Sequence, residues 1–144
     1  MNINTIKFNQ NTQAYLSFVI PFKILEQISK VLVYQKDSNG YQRQPNDLHI
    51  NRIKKFILDD INEFKLPTSI ILGVDSKEVK SILIDGSENT TMNLENINNK
   101  PFRIVDGQHR ILGMKRAIDS LKDENKIKII EDYPFNVVAV VTDE

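Results

Sequence analysis

The stretch Phe102-Arg103-Ile104-Val105-Asp106-Gly107-Gln108-His109-Arg110 constrains this chain more than any other. A short apolar run stops at Asp106-Gly107, and a helical pattern begins immediately behind it. A strand that turns straight into a helix gathers backbone N–H groups at one point. The glycine lets backbone approach a ligand with no Cβ in the way. Asp106 is expected to cap the helix by accepting from a first-turn N–H. The remaining first-turn donors and the positive end of the helix favour an anion. Arg110 adds a permanently charged, two-pronged donor set. The junction therefore reads as a phosphate site with Gly107, Gln108, His109 and Arg110 around it.

Each of these residues also has an ordinary structural use. Arg110 can be a surface arginine paired with an acid, which is worth little. His109 can bond a phosphate oxygen or carry a proton, and it can equally be a satisfied structural histidine. Asp106 can be only a cap, or it can hold a Mg²⁺ ion or orient a water as part of a catalytic pair with His109. Gln108 can donate to and accept from a base or a phosphate.

With 144 residues, one domain with a single core is the expectation. Residues 1 to 10 are polar and expected to be flexible unless a sheet takes them up, which leaves 11–144 as the domain. The 40% apolar and 26% charged composition is that of an ordinary globular protein. No apolar run has the length of a bilayer span, and the N-terminus lacks the order of a secretory signal. The absence of cysteine removes disulfides, thiolate metal sites and a cysteine nucleophile. A cytoplasmic location is the expectation.

The formal net charge is +0, which speaks against a protein living on nonspecific duplex binding. Between Lys100 and Arg116, however, five cations face Asp106 alone, a local +4. Arg52, Lys54 and Lys55 form a second cluster, which reads most simply as a solvated helix face. His49 and His109 are the two histidines, without metal-ligand spacing, so no metal site is expected.

Along the chain, Ala14–Ile20 reads as a strand ended by Pro21, followed by a short helix to about residue 30. Val31–Gln35 reads as strand, closed by the turn Asp37-Ser38-Asn39-Gly40. Behind an N-cap at Asn46, Ile50, Ile53, Ile57 and Ile61 repeat at helical spacing. Ser69–Val74 and Ser81–Ile84 are apolar runs that would pair as a hairpin. Asp85–Lys100 reads as a surface loop and candidate flap. Ile111, Met114, Ala117, Ile118 and Leu121 form the buried stripe of the motif helix, and Gly113 permits close helix packing. Asp123–Lys126 reads as a polar connector, and Phe135–Val141 as a central strand. The fold class is α/β or α+β: a small mixed sheet flanked by helices, in which the motif strand, helix and last strand would form a βαβ unit.

The string Asp106 to Arg110, DGQHR, resembles the signature of the DGQHR-domain family, part of the larger group of ParB-like and sulfiredoxin-like domains. Tyr41-Gln42-Arg43, the helical Leu48-to-Leu58 stretch and Pro67-Thr68-Ser69-Ile70-Ile71-Leu72 precede the motif in the same order, so the likeness covers roughly residues 10 to 142. The resemblance implies a nucleotide-phosphate-binding turn, with ATP or CTP and Mg²⁺ as the ligands it suggests. It places Arg43 near the motif, as the second half of an arginine clamp. DndB-like members are linked to DNA phosphorothioate modification and its transcriptional control, and relatives accompany deazaguanine modification. DNA or a nucleotide, and other proteins of such a system, are thus the implied partners. Gln108 stands where sulfiredoxin-like relatives carry their reactive cysteine, which removes sulfinic-acid repair. Family members are commonly longer, so a further C-terminal region is expected.

Three functions follow: a regulatory nucleotide- or DNA-phosphate-binding domain in DNA modification or phage defence, a nucleotide hydrolase or DNA-nicking enzyme built on Asp106 and His109, or a non-catalytic protein interaction module. Oligomeric state is not legible in the residues.

Overall fold

A computed structural model describes residues 1–30, 46–86, 89–95 and 99–143. The expected strand Val31–Gln35, the turn after it and the segment carrying Arg43 lie outside the described residues.

The chain begins with a hairpin. β1 (Asn2–Gln10) and β2 (Gln13–Pro21) are joined by the two-residue turn Asn11-Thr12, with Asn11 at a φ of 54°. Residues 2 to 10 are thus taken up by the sheet. α1 (Phe22–Ile28) follows Pro21, whose fixed φ suits the position just before a helix. After β3 (Ser29–Lys30) and α2 (Asp47–Asp59) come β4 (Ile70–Asp75), α3 (Ser76–Ile82), β5 (Leu83–Asp85) and β6 (Thr90–Asn93). β7 (Phe102–Asp106) leads into α4 (Gln108–Ser120), then α5 (Glu124–Glu131) and β8 (Pro134–Thr142).

The strands form one mixed sheet in the order β3-β7-β4-β8-β2-β1-β6-β5. β3/β7 and β4/β8 run parallel, and the other pairs are antiparallel. β8 lies mid-sheet between β4 and β2, as its apolar content requires. A mixed α/β sheet flanked by helices is therefore the architecture.

Four expectations are corrected. Ser76–Ile82 is a helix, and β5 pairs with β6, so β4 and Ser81–Ile84 form no hairpin. The Asp85–Lys100 stretch contains the strand β6 rather than loop alone. Asp123 is the N-cap of α5, its carboxylate accepting from the Asn125 N–H, so the polar connector is a helix start. β7 and β8 do not make a βαβ unit: β4 separates them, antiparallel to β7 and parallel to β8.

Alternate residues of the central strands face one side: Leu16, Phe18 and Ile20 of β2, Phe135, Val137 and Ala139 of β8, Ile70, Leu72 and Val74 of β4, Phe102 and Ile104 of β7. They join Phe22 and Leu25 of α1 with Ile111, Met114 and Ala117 of α4 in a single core. Full burial of one such side chain stabilises by about 1.5–3 kcal/mol. Among the described residues, the opposite sheet face carries no such cover, and Ile6 and Val19 there are 67% and 58% exposed. Tyr133 fixes the segment entering β4. Its ring stacks on Phe64 at 4.3 Å between centroids, and its hydroxyl oxygen accepts the Leu66 N–H at 2.9 Å. Thr68 and Ser69 are thereby presented to the motif.

Candidate functional site

α4 starts where β7 ends, with Gly107 between them as the N-cap residue. Gly107 has a φ of 112°, a left-handed conformation that side chains resist. A Cβ there would also press into Ile70 Cδ1 and come within 3.2 Å of Arg110 Nη2. Glycine is required twice over.

Asp106 does not cap the helix as expected. The cap position belongs to Gly107, no side chain caps α4, and Asp106 ends β7 with an exposed side chain. The reason is geometric: the left-handed turn at Gly107 moves the start of the helix one residue on. No acidic residue stands in the first turn of α4 either. A 13-residue helix therefore begins with its positive end neither capped nor neutralised by its own side chains.

Arg110 turns toward the chain entering β4. Its Nη1 donates to the Thr68 carbonyl and to Thr68 Oγ1 at 2.7 Å, and its Nη2 donates to the Ser69 carbonyl at 3.1 Å. Burial lowers the guanidinium's pKa from its usual value, while the Asp106 carboxylate works the other way. The side chain is half-buried and staples the motif to Thr68-Ser69. It remains a cation at the turn.

His109 lies at the meeting of two helices. Its Nε2 accepts the Asn46 backbone N–H at 3.2 Å, and its ring meets the edge of His49 at 4.8 Å between centroids. Burial first, and the neighbouring His49 second, hold its pKa below the ordinary 6.5. The imidazole is therefore neutral near pH 7. Since Nε2 accepts, the proton sits on Nδ1, for which no acceptor stands among the described residues. Gln108, at 4% exposure, is buried in the first turn.

α2 is bound to α4 along its length. Asn46 caps α2, its Oδ1 accepting from the His49 N–H at 3.1 Å. Residue 109 sits beside 46 and 49, and Gly113 sits against 50 and 53, so the helices run in the same direction with their positive ends side by side. A Cβ on Gly113 would lie 2.5 Å from Ile53 Cγ2, which is why close packing needs glycine there. Arg116 completes the contact, donating to Asn51 Oδ1 at 3.0 Å and pairing with Asp47.

The expected +4 cluster is partly spent. Arg116 pairs with Asp47, and Arg103 pairs with Asp75 at 3.1 Å, while Lys100 and Lys115 are exposed. The structure brings Asp106, Gly107, Gln108, His109 and Arg110 to one turn. Arg43 falls outside the described residues, so the arginine clamp is not part of the described site. Nothing in the residue types marks Thr68 and Ser69 as partners of the motif, and His49, exposed on α2, stands at the same helix end as the motif through its i+3 position from the Asn46 cap. Among the described residues, no three histidine, cysteine or acidic side chains gather as a metal site, and no helix is long and apolar enough to cross a membrane.

The chain matches one family over residues 3–144, the family described as DndB, DNA-sulfur modification-associated. No curated protein and no solved structure is significantly similar to it. That match spans nearly every residue, including the turn built around Gly107, and the chain belongs to the DndB family, whose members are associated with DNA sulfur modification.

Proposed function

We propose that this domain binds the phosphate group of a nucleotide or of DNA at the DGQHR turn, and that it serves a DNA sulfur modification system as a regulator. One observation carries the reading: α4 starts at a left-handed glycine with no side-chain cap and no acid in its first turn. Such a helix end is an anion site. The start of α2 lies beside it but is capped by Asn46 and carries Asp47 in its first turn, so the anion site is that of α4. In this reading the first-turn amides hold the phosphate oxygens, His109 Nδ1–H donates from the side, and Arg110 supplies positive charge while locking the turn to Thr68 and Ser69. The exposed Asp106 carboxylate, not used as a cap, fits a Mg²⁺ ion shared with phosphate oxygens.

Calorimetric titration with ATP, CTP and duplex DNA tests the proposal. Binding of at least one of them, weakened about tenfold or more by Arg110→Lys, is expected. Failure of all three to bind the wild type overturns it. Nucleotide turnover lost in Asp106→Asn would move the reading to a hydrolase.

A further inference from the structure

β1 changes partners in mid-strand. Residues Ile6 to Gln10 pair with β2, whereas Asn2 to Thr5 pair with β6. β2 meanwhile continues beside β8 as far as Pro21. Past Ser17 it therefore has no partner on its β1 side among the described residues. A trough of about 790 Å³ opens there, on the sheet face that the helices leave uncovered. Its walls include the side-chain amides of Asn4, Asn89 and Asn136, the Ser17 hydroxyl and the aliphatic Ile6 and Val19. Among the described residues, no ionisable side chain lines it.

This trough is connected to the motif. Asn136 Nδ2 donates to Ser69 Oγ at 2.8 Å, and the Ser69 carbonyl accepts from Arg110 Nη2 at 3.1 Å. The sheet register gives the same relation: Asp106 is opposite Ile71, Ile71 opposite Val138, Val138 opposite Ser17, and Ser17 opposite Ile6. Ser17, on the trough wall, is three strand spacings from Asp106, about 14 Å, a distance that an extended nucleoside triphosphate bridges from its terminal phosphate to its base.

We propose that the trough is the nucleoside subsite of the DGQHR turn. The phosphate stays at the turn, and the uncharged base and sugar lie on the open sheet face. Amides supply both donors and acceptors, which suits the edge of a base. Exposed Ile6 and Val19 offer apolar surface to its flat face. A charged group would find no counter-charge among the described residues of this lining. The inference rests on the phosphate reading above and adds selectivity to it. An extended peptide adding to the vacant edge of β2 is the competing occupant. The link from Asn136 through Ser69 to Arg110 favours the nucleotide.

The test compares ATP, CTP and inorganic tripolyphosphate on the wild type and on Val19→Glu, a substitution at a surface-exposed position. Wild type should bind at least one nucleotide about tenfold more tightly than tripolyphosphate, and Val19→Glu should reduce that ratio to about one. Side-chain amide signals of Asn4 and Asn136 should shift with the nucleotide and not with tripolyphosphate. Equal binding of nucleotides and tripolyphosphate by the wild type overturns the subsite while leaving the phosphate site standing. A ratio that Val19→Glu leaves unchanged overturns it too. Binding of a serine–valine decapeptide without competition from nucleotide assigns the trough to a peptide and overturns it as well. If neither nucleotides nor tripolyphosphate bind, both readings fall.

Discussion

His109 Nε2 accepts the backbone N–H of Asn46 at 3.2 Å, tying the second residue of α4 to the cap of α2. The bond needs a neutral imidazole, because a protonated one has no acceptor nitrogen. Burial and then His49 lower the His109 pKa from 6.5. The unfolded chain therefore binds this proton more readily than the folded one. Stability from this group is complete above pH 6.5 and is lost as the pH falls through the lowered folded value. Urea midpoints should decrease between pH 7.5 and pH 5.5, and His109→Gln, which keeps an acceptor without titrating, should flatten that decrease. An unchanged pH slope in the variant would show that His109 does not set it.

Gly107→Ala should be severely destabilising. The substitution combines a left-handed φ of 112° with a collision against Ile70 Cδ1. Backbone strain and overpacking together predict a loss of about 2 kcal/mol or more by chemical denaturation. Ile70→Val removes the colliding methyl and should restore only the steric share. Full recovery in the double variant would mean that the conformation at Gly107 costs nothing.

Gly113→Ala probes the contact between α2 and α4. Its Cβ would meet Ile53 Cγ2 at 2.5 Å, for a cost of about 1–3 kcal/mol. Ile53→Ala should show strong coupling to it in a double-mutant cycle, because the two residues share one contact. Additive effects would place the helices further apart than described.

Arg110→Ala removes three donor contacts to Thr68 and Ser69. Leaving those partners unmatched should cost about 1–3 kcal/mol. Amide exchange around residues 68 to 70 should accelerate, while the far strands β5 and β6 keep their protection. Uniform acceleration would show that Arg110 supports the whole fold rather than this one link.

Much of this architecture is legible in the residues. The runs Ala14–Ile20 and Phe135–Val141 are apolar and β-branched enough to read as strands, and the isoleucines of α2 repeat with a helical period. The junction at Asp106-Gly107 reads directly because a strand pattern and a helix pattern touch there. Other parts depend on distant pairing. β6 is four residues long, and only its partners β1 and β5 make it a strand. α3 spans seven residues, and its last two, Ser81 and Ile82, open an apolar run of strand-like composition that continues into β5. The insertion of β4 between β7 and β8 leaves no local trace, so a βαβ unit looked plausible from order alone. At the site, the residue types were legible and the geometry was not. Asp106 has the chemistry of a cap, but one left-handed glycine passes the cap position to residue 107. Arg110 is a cation in either reading, but its partners Thr68 and Ser69 lie some forty positions away in sequence.

Backbone amide shifts on titration with ATP test the central claim most directly. The account predicts that the largest saturable changes fall on Gln108, His109 and Arg110 at the start of α4. Saturating nucleotide that leaves these three amides unmoved, or shifts only residues remote from the turn, would contradict it.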